Sequence, residues 1–142
     1  MDKYDVLKLE NQICFPLYAA AKETVKRYRP FLDELDLTYT QYIAMMVLWE
    51  RGTVSVKELG ERLFLDSGTL TPVLKSMEAK GLISRRRDGE DERRLCVSAT
   101  EKGLALKERA LTVPGRILEC FNLTEEEAVV LYGILHKILN NA

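Results

Sequence analysis

One histidine, one tryptophan, three cysteines and four prolines in 142 residues are scarcities that exclude several classes of protein. Cys14, Cys96 and Cys120 are odd in number and widely spaced, with no Cys-x-x-Cys, so neither a disulfide framework nor a zinc site is indicated. Each thiol has to be judged singly. The single histidine, His136, lies beside Leu135, Ile138 and Leu139 and reads as a surface or interface residue rather than a metal ligand or general base. Phosphate loops, dinucleotide fingerprints and zinc motifs are missing, so no cofactor and no metal are expected. Long apolar runs are missing too: the longest, Tyr42 to Trp49, is far short of the roughly 20 residues that cross a bilayer. Met1 to Glu10 lacks the apolar centre of a secretory signal, so the expectation is a cytoplasmic protein with no membrane partner. What is present, 46% hydrophobic and 30% charged residues, suits one globular domain over residues 1–142.

Net charge is −1, but it is unevenly divided. Residues 1–50 hold six basic and eight acidic side chains, residues 51–87 eight and four, and residues 88–142 seven and ten. The basic middle is a mild pointer to an anionic partner, although a solvated basic face explains the charge equally well.

Four segments place Ser or Thr three residues ahead of Glu or Gln, the reciprocal cap that satisfies two helix-start amides: Thr38 with Gln41, Ser55 with Glu58, Ser98 with Glu101, and Thr124 with Glu127. Apolar residues then recur at three-and-four spacing after Thr38 (Tyr39, Tyr42, Ile43, Met46, Val47), after Ser55 (Leu59, Leu63) and after Thr124 (Ala128, Leu131, Ile134, Leu135, Ile138), predicting amphipathic helices. The same period in Cys14, Leu17, Tyr18, Ala21, Val25 and Tyr28 predicts a first helix ending before Pro30, with Pro16 implying a kink or a late start. A long fifth helix is expected from near Thr100, bent or broken at Pro114-Gly115. Trp49, Met45 and Met46 read as core packing.

Between Ser55 and Ser98 the pattern changes. A short helix ending near Leu63 is followed by a tight turn and by Leu70, Val73, Leu74 and Met77 on one face of a second helix, whose regular part is expected from Gly68 or Thr69 because of Pro72. Gly81 is placed to stop it. Leu82 to Arg87, an Asp88-Gly89 turn, and Arg93 to Ser98 then read as a hairpin. Helix, turn, helix and charged hairpin form the layout of a winged helix-turn-helix, whose second helix enters the DNA major groove while the hairpin reaches the backbone or minor groove. The polar face of that second helix offers Ser67, Thr69, Thr71, Lys75 and Ser76, groups that suit phosphates and base edges, although a solvated face would hold the same types. Five arginines, Arg85, Arg86, Arg87, Arg93 and Arg94, flank the hairpin turn, and an arginine at such a tip fits a narrow minor groove. Asp88, Glu90, Asp91 and Glu92 nearly balance them, so the hairpin reads either as DNA-binding or as salt-bridged, with one carboxylate free to orient an arginine.

These segments, with Val56-Lys57-Glu58-Leu59, Leu70-Thr71-Pro72-Val73-Leu74-Lys75, Gly81-Leu82-Ile83 and Asp91-Glu92-Arg93-Arg94, resemble the MarR family of dimeric winged-helix regulators. Asn11 to Tyr18 and Asp33 to Tyr42 are similar to its organic-hydroperoxide-resistance branch. The resemblance implies a mainly α fold of about six helices with a small β-hairpin wing, in which residues 1–37 and 100–142 dimerise and residues 38–99 form the winged helix-turn-helix. It further implies a homodimer on double-stranded operator DNA, released by organic hydroperoxide, and no enzyme activity. In that branch Cys14 matches the peroxide sensor, Tyr18, Tyr28 and Tyr39 match its surrounding tyrosines, and Asp91 and Arg93 match a minor-groove pair. Two-cysteine members keep a resolving cysteine late in the fifth helix, where Cys120 falls. A low-molecular-weight thiol is the alternative resolving partner. Cys96 reads as structural.

The residues support a sensor independently. Cys14 and Tyr18 lie one turn apart on one helical face, so the phenol can donate to the sulfur and favour thiolate. Tyr28 lies about 21 Å further along a straight helix, at about 1.5 Å per residue, so it would reach Cys14 only from an antiparallel partner copy. Two rivals remain at this point. One is a repressor of the same fold released by a small phenolic ligand, with Cys14 merely lining the pocket; the other is a thiol peroxidase, which leaves the arginine-bearing wing unexplained.

Overall fold

Of the four hydroxyls placed to start helices, three do so. The computed structural model describes residues 2–91 and 93–140. After two short 3-10 turns, Lys3–Leu7 and Leu9–Asn11, it runs α1 (Cys14–Asp33), α2 (Tyr39–Arg51), β1 (Val54–Ser55), α3 (Val56–Leu63), α4 (Ser67–Ala79), β2 (Ile83–Arg87), β3 (Leu95–Ala99), α5 (Glu101–Ala110), α6 (Val113–Glu119) and α7 (Glu125–Asn140). Thr38 with Gln41 and Thr124 with Glu127 form reciprocal caps on α2 and α7, and the Ser55 hydroxyl accepts from the Glu58 N–H at the start of α3. Ser98 is the exception. Its pairing with Ser84 keeps it extended inside β3, its hydroxyl sits 2.8 Å from that of Thr53, and Thr100 caps α5 instead.

Proline acts differently from expectation at two places, and at a third the expected break occurs. Pro16 falls in the first turn of α1, where no N–H is needed, so the helix starts at Cys14. Pro30 forgoes its bond to the Lys26 carbonyl, yet α1 continues to Asp33 because Leu32 beyond it is drawn into the core. The expected long fifth helix divides at Leu111 and Thr112, and Pro114 opens α6 rather than bending α5. The extra break accounts for seven α-helices among the described residues where about six were expected; the mainly α winged-helix architecture is as expected. Asp66 caps α4 from Ser67, slightly earlier than Pro72 implied, and Gly81 supplies the left-handed stop at φ 77°.

The small antiparallel sheet has the order β1-β3-β2. Its register pairs Arg87 with Leu95, so the wing loop covers residues 88–94 and not a two-residue Asp-Gly turn. Arg93 and Arg94 accordingly belong to the loop, ahead of the strand. Met45 and Leu48 of α2, Leu59 of α3, Leu70, Leu74 and Met77 of α4 and Val97 of β3 close one core, with Leu32, Leu35 and Leu37 joining it from the end of α1. Trp49 is half-buried and donates its indole N–H to the Gly103 carbonyl at 3.0 Å, whereas Met46 stays largely exposed, contrary to a core role. Gly103 is required where it stands, since a Cβ there would collide with the Leu82 carbonyl. No helix of the described residues is long and apolar enough to cross a membrane.

The terminal helices are packed differently. Helix α7 has no buried residue, and Leu32 is the one buried residue of α1. Leu7, Ile13, Leu17, Val25, Val129, Leu131, Ile134 and Ile138 all present apolar surface.

Candidate nucleic-acid interface and thiol sensor

Helix α4 meets solvent along the face that carries Ser67, Thr69 and Lys75, all exposed. Thr71 is half-buried and donates its hydroxyl to the Ser67 carbonyl at 2.7 Å, which uses its one proton and leaves the oxygen as an acceptor. Ser76 is engaged within the protein, accepting from the Gln41 side-chain amide at 3.0 Å. At the head of the helix the Asp66 carboxylate accepts the Thr69 N–H at 2.7 Å, and these amide bonds hold its pKa below the usual aspartate value. That cap was not singled out from the sequence, although an Asp immediately ahead of an apolar-periodic run is its signal.

The wing is partly self-paired. Arg85 is committed to Glu78 of α4, with guanidinium nitrogens 3.1 and 3.4 Å from its two carboxylate oxygens, so it braces the wing against that helix instead of projecting from it. That pairing also holds the Glu78 pKa down. Arg86 and Arg87 are exposed and form no ion pair among the described residues. In the loop, the Asp91 carboxylate accepts the Arg93 N–H at 3.0 Å and lies 3.6 Å from its Nε, while the Arg93 side chain is 97% exposed. Asp91 therefore orients Arg93 outward. Arg94 stands 3.9 Å from Asp88, and Glu92 lies outside the described residues. Cys96 is half-buried, directly across the ladder from Arg86.

Cys14 opens α1 as an exposed free thiol, and Tyr18, one turn on, is 61% exposed with the Lys22 ammonium over its ring. Tyr28 and Tyr39 are elsewhere. Their rings lie 4.9 Å apart and share a cluster with Tyr42, which the sequence reading did not include. Burial, helped by the neighbouring phenols, pushes the Tyr28 pKa up to about 12, and burial raises Tyr39 and Tyr42 as well, so all three remain protonated donors near neutral pH. Within one chain the structure thus keeps Cys14 with Tyr18, and Tyr28 with Tyr39, as two groups separated along α1.

Cys120 caps α6 rather than ending a fifth helix, and its thiol is free and exposed. Its carbonyl accepts from Arg27 of α1 at 2.8 Å, and Arg27 also lies over the Phe121 ring. Arg116 completes the attachment, with two bonds to Glu34 at 2.9 and 3.3 Å and its guanidinium 4.3 Å from the Phe31 ring centre. The backbone of Cys120 is thus moored to Arg27, the residue before Tyr28 in α1. Among the described residues no cluster of three His, Cys, Asp or Glu could hold a metal ion.

Comparison with known proteins gives a consistent result. A sequence profile described as Transcriptional regulator SarA/Rot matches residues 26–110. The chain is 51% identical over 138 residues to an organic hydroperoxide resistance transcriptional regulator of Bacillus subtilis strain 168, covering 97% of this chain and 94% of the relative. Among solved structures it is similar to AbfR of Staphylococcus epidermidis. Reduced AbfR bound to DNA superposes with a TM-score of 0.79 at 30% identity, covering 98% of this chain and 96% of AbfR. Overoxidised AbfR bound to DNA gives 0.78 at 30% identity, covering 99% and 100%. A MarR variant from E. coli complexed with operator DNA shares the fold at a TM-score of 0.83 and 22% identity, covering 98% and 99%.

Proposed function

Because this chain belongs to the MarR family of winged-helix transcriptional regulators, in its organic-hydroperoxide-resistance branch, and is therefore a regulator and not an enzyme, we propose that it is a DNA-bound homodimer released when Cys14 is oxidised by an organic hydroperoxide. The observation that carries the reading is the division of the sensor: an exposed thiol with Tyr18 at one end of α1 and a protonated tyrosine cluster about 21 Å along it, at 1.5 Å per residue. An antiparallel copy of α1 brings the two together. The apolar faces left open on α1 and α7 supply the dimer contact.

In this mechanism the thiolate, stabilised by phenol hydrogen bonds, attacks the distal peroxide oxygen. An S–O bond forms, the O–O bond breaks, and the alcohol departs after taking a proton, leaving Cys14 as sulfenic acid. The Cys120 thiol of the partner subunit, or a small thiol, then attacks that sulfur; an S–S bond forms and water leaves. Cys120 suits the step because its thiol is free and exposed and its backbone is held to α1 through Arg27, the residue before Tyr28. A disulfide requires Cα atoms about 4.4 to 6.8 Å apart, so closing it drags α6 and α1 of opposite subunits together and respaces the two DNA-binding heads. AbfR holds DNA overoxidised as well as reduced, which is a reason to assign release to the disulfide rather than to oxygen addition.

On DNA, α4 lies in the major groove with Ser67, Thr69, Thr71 and Lys75 toward it, and Asp91-oriented Arg93 enters the minor groove with Arg86 and Arg94 near the backbone. Arg85 acts as a brace. The test uses fluorescence anisotropy on a duplex selected by the reduced protein from a random pool, before and after equimolar cumene hydroperoxide. Wild type is expected to be released and restored by dithiothreitol, while Cys14→Ser binds equally and stays bound. Release of Cys14→Ser by the hydroperoxide would overturn the reading and transfer the switch to another residue or to the rival in which a small ligand, not the thiol, releases the protein.

A further inference from the structure

Between the tyrosine cluster and the reading helix lies a buried amide. Gln41 is 3% exposed and sits in the first turn of α2, two residues after Tyr39 and one before Tyr42. Its Oε1 accepts from the Thr38 N–H and from the Lys80 ammonium, both at 3.0 Å, and its Nε2 donates to the Ser76 hydroxyl at 3.0 Å. Ser76 lies in the last turn of α4 and Lys80 is its C-terminal cap. The same Lys80 donates to the Asp36 carbonyl at 2.7 Å, in the turn from α1 to α2 where Asp36 takes φ 53°.

We infer that Gln41 is the positioning residue that ties the sensing tyrosines to the reading helix α4. The tie rests on the redox reading above and names how that site reaches DNA. A carboxamide is planar and rigid, so its oxygen and nitrogen cannot separate to follow two bodies moving apart. A bond of 3.0 Å is lost as a hydrogen bond once stretched past about 3.5 Å. A slide of α2 against α4 by roughly half an ångström therefore has to either carry α4 along or break the Ser76 or Lys80 contact. Tyr39 is the first residue of α2, and its ring contacts Tyr28, so any rearrangement of those rings around an oxidised sulfur acts on the turn that holds Gln41. An apolar core pair would transmit such a shift less faithfully, because apolar contacts have no direction to lose.

The experiment measures operator affinity of reduced and hydroperoxide-treated protein, together with melting temperature, for Gln41→Met, Gln41→Glu and Ser76→Ala. Gln41→Met keeps the length and apolar volume of the side chain without its polar contacts. It should bind DNA within about threefold of wild type when reduced. Its ratio of oxidised to reduced Kd should fall by about tenfold, within the usual range of coupling between sites. Ser76→Ala should lower the ratio less. Gln41→Glu should restore it, because a carboxylate still accepts from Thr38 and Lys80 and the Ser76 hydroxyl can turn to donate. A merely structural role would lower the melting temperature of Gln41→Met and leave the ratio at the wild-type value, which overturns the inference. Should Gln41→Met fail to fold, an unchanged ratio in Ser76→Ala, an exposed site, overturns it instead. A wild type that hydroperoxide does not release overturns the redox reading and this tie with it; a wild type that is released, beside variants with its ratio, overturns the tie alone.

Discussion

The winged helix-turn-helix and the terminal helices are built to different standards of completeness. In the head, α2, α3, α4 and the sheet bury Met45, Leu48, Leu59, Leu74, Met77 and Val97 within a single chain. The outer helices α1 and α7 leave Leu17, Val25, Leu131 and Ile134 open to water, and α7 buries nothing. One region is a finished core and the other half of one. The proposed chemistry follows the same division, since Cys14 opens the exposed α1, while the groups proposed to face DNA sit on the head, where a closed core fixes their geometry.

The strongest way to break this contrast is to make the open face permanently polar. Leu131→Asp with Ile134→Asp should yield a monomer by sedimentation, lower operator affinity by at least about a hundredfold because two half-sites no longer bind together, and leave the head folded. A dimer persisting in that variant would place the interface elsewhere. Next in size, Arg93→Ala should weaken binding by about tenfold to a hundredfold and reduce the salt dependence by about one counterion, with the dimer intact. Unchanged binding at physiological salt would remove the wing from the interface. Arg27→Ala sharpens the contrast from the other side, since it frees the Cys120 carbonyl while touching neither Cys14 nor the head. Covalent dimer on non-reducing gels should form several times more slowly, by about fivefold, with sulfenic acid formation at its wild-type rate.

The smallest effect concerns acid. Bonding to Arg116 holds the exposed Glu34 carboxyl below the ordinary glutamate value of 4.5. A depressed folded pKa gives stability that is present above the unfolded value and lost as pH falls through the folded one. Melting temperature should therefore decline as pH drops below about 4.5, and Glu34→Gln should lower it slightly at neutral pH and converge with wild type in acid, flattening that limb. A steeper acid limb in Glu34→Gln would contradict the pairing.

Features set by neighbours in sequence were readable, and those set across the fold were not. The Thr38 and Thr124 caps, the Gly81 stop, the two-helix motif and the wing strands all depend on residues within a few positions of each other, and all appear. Ser98 carried the same local signal and failed, because pairing with Ser84 across the hairpin fixed its backbone first. Pro30 did not end α1, since tertiary burial of Leu32 outweighed one missing hydrogen bond. The site divides similarly. Spacing along a helix put Cys14 beside Tyr18 and away from Tyr28, but the Arg85 brace to Glu78, the third tyrosine and the Gln41 contacts join residues from separate elements, and no spacing announces them.

The brace from Arg85 to Glu78 has a metrological consequence. With the wing fastened to α4, each head has one effective setting, and two heads on a common dimer form a calliper whose gap is read in base pairs. Half-sites recur every 34 to 36 Å along the duplex, with about 10 to 10.5 base pairs to a turn. Opening or closing the gap by one step therefore moves a head by about 3.4 Å and rotates it by roughly 34° off its groove. A flexible wing would absorb that error by reaching; a braced one cannot. The tolerance of the instrument is thus about one base-pair step, and the disulfide proposed above, in drawing two helices together by a few ångströms, would be large on that scale.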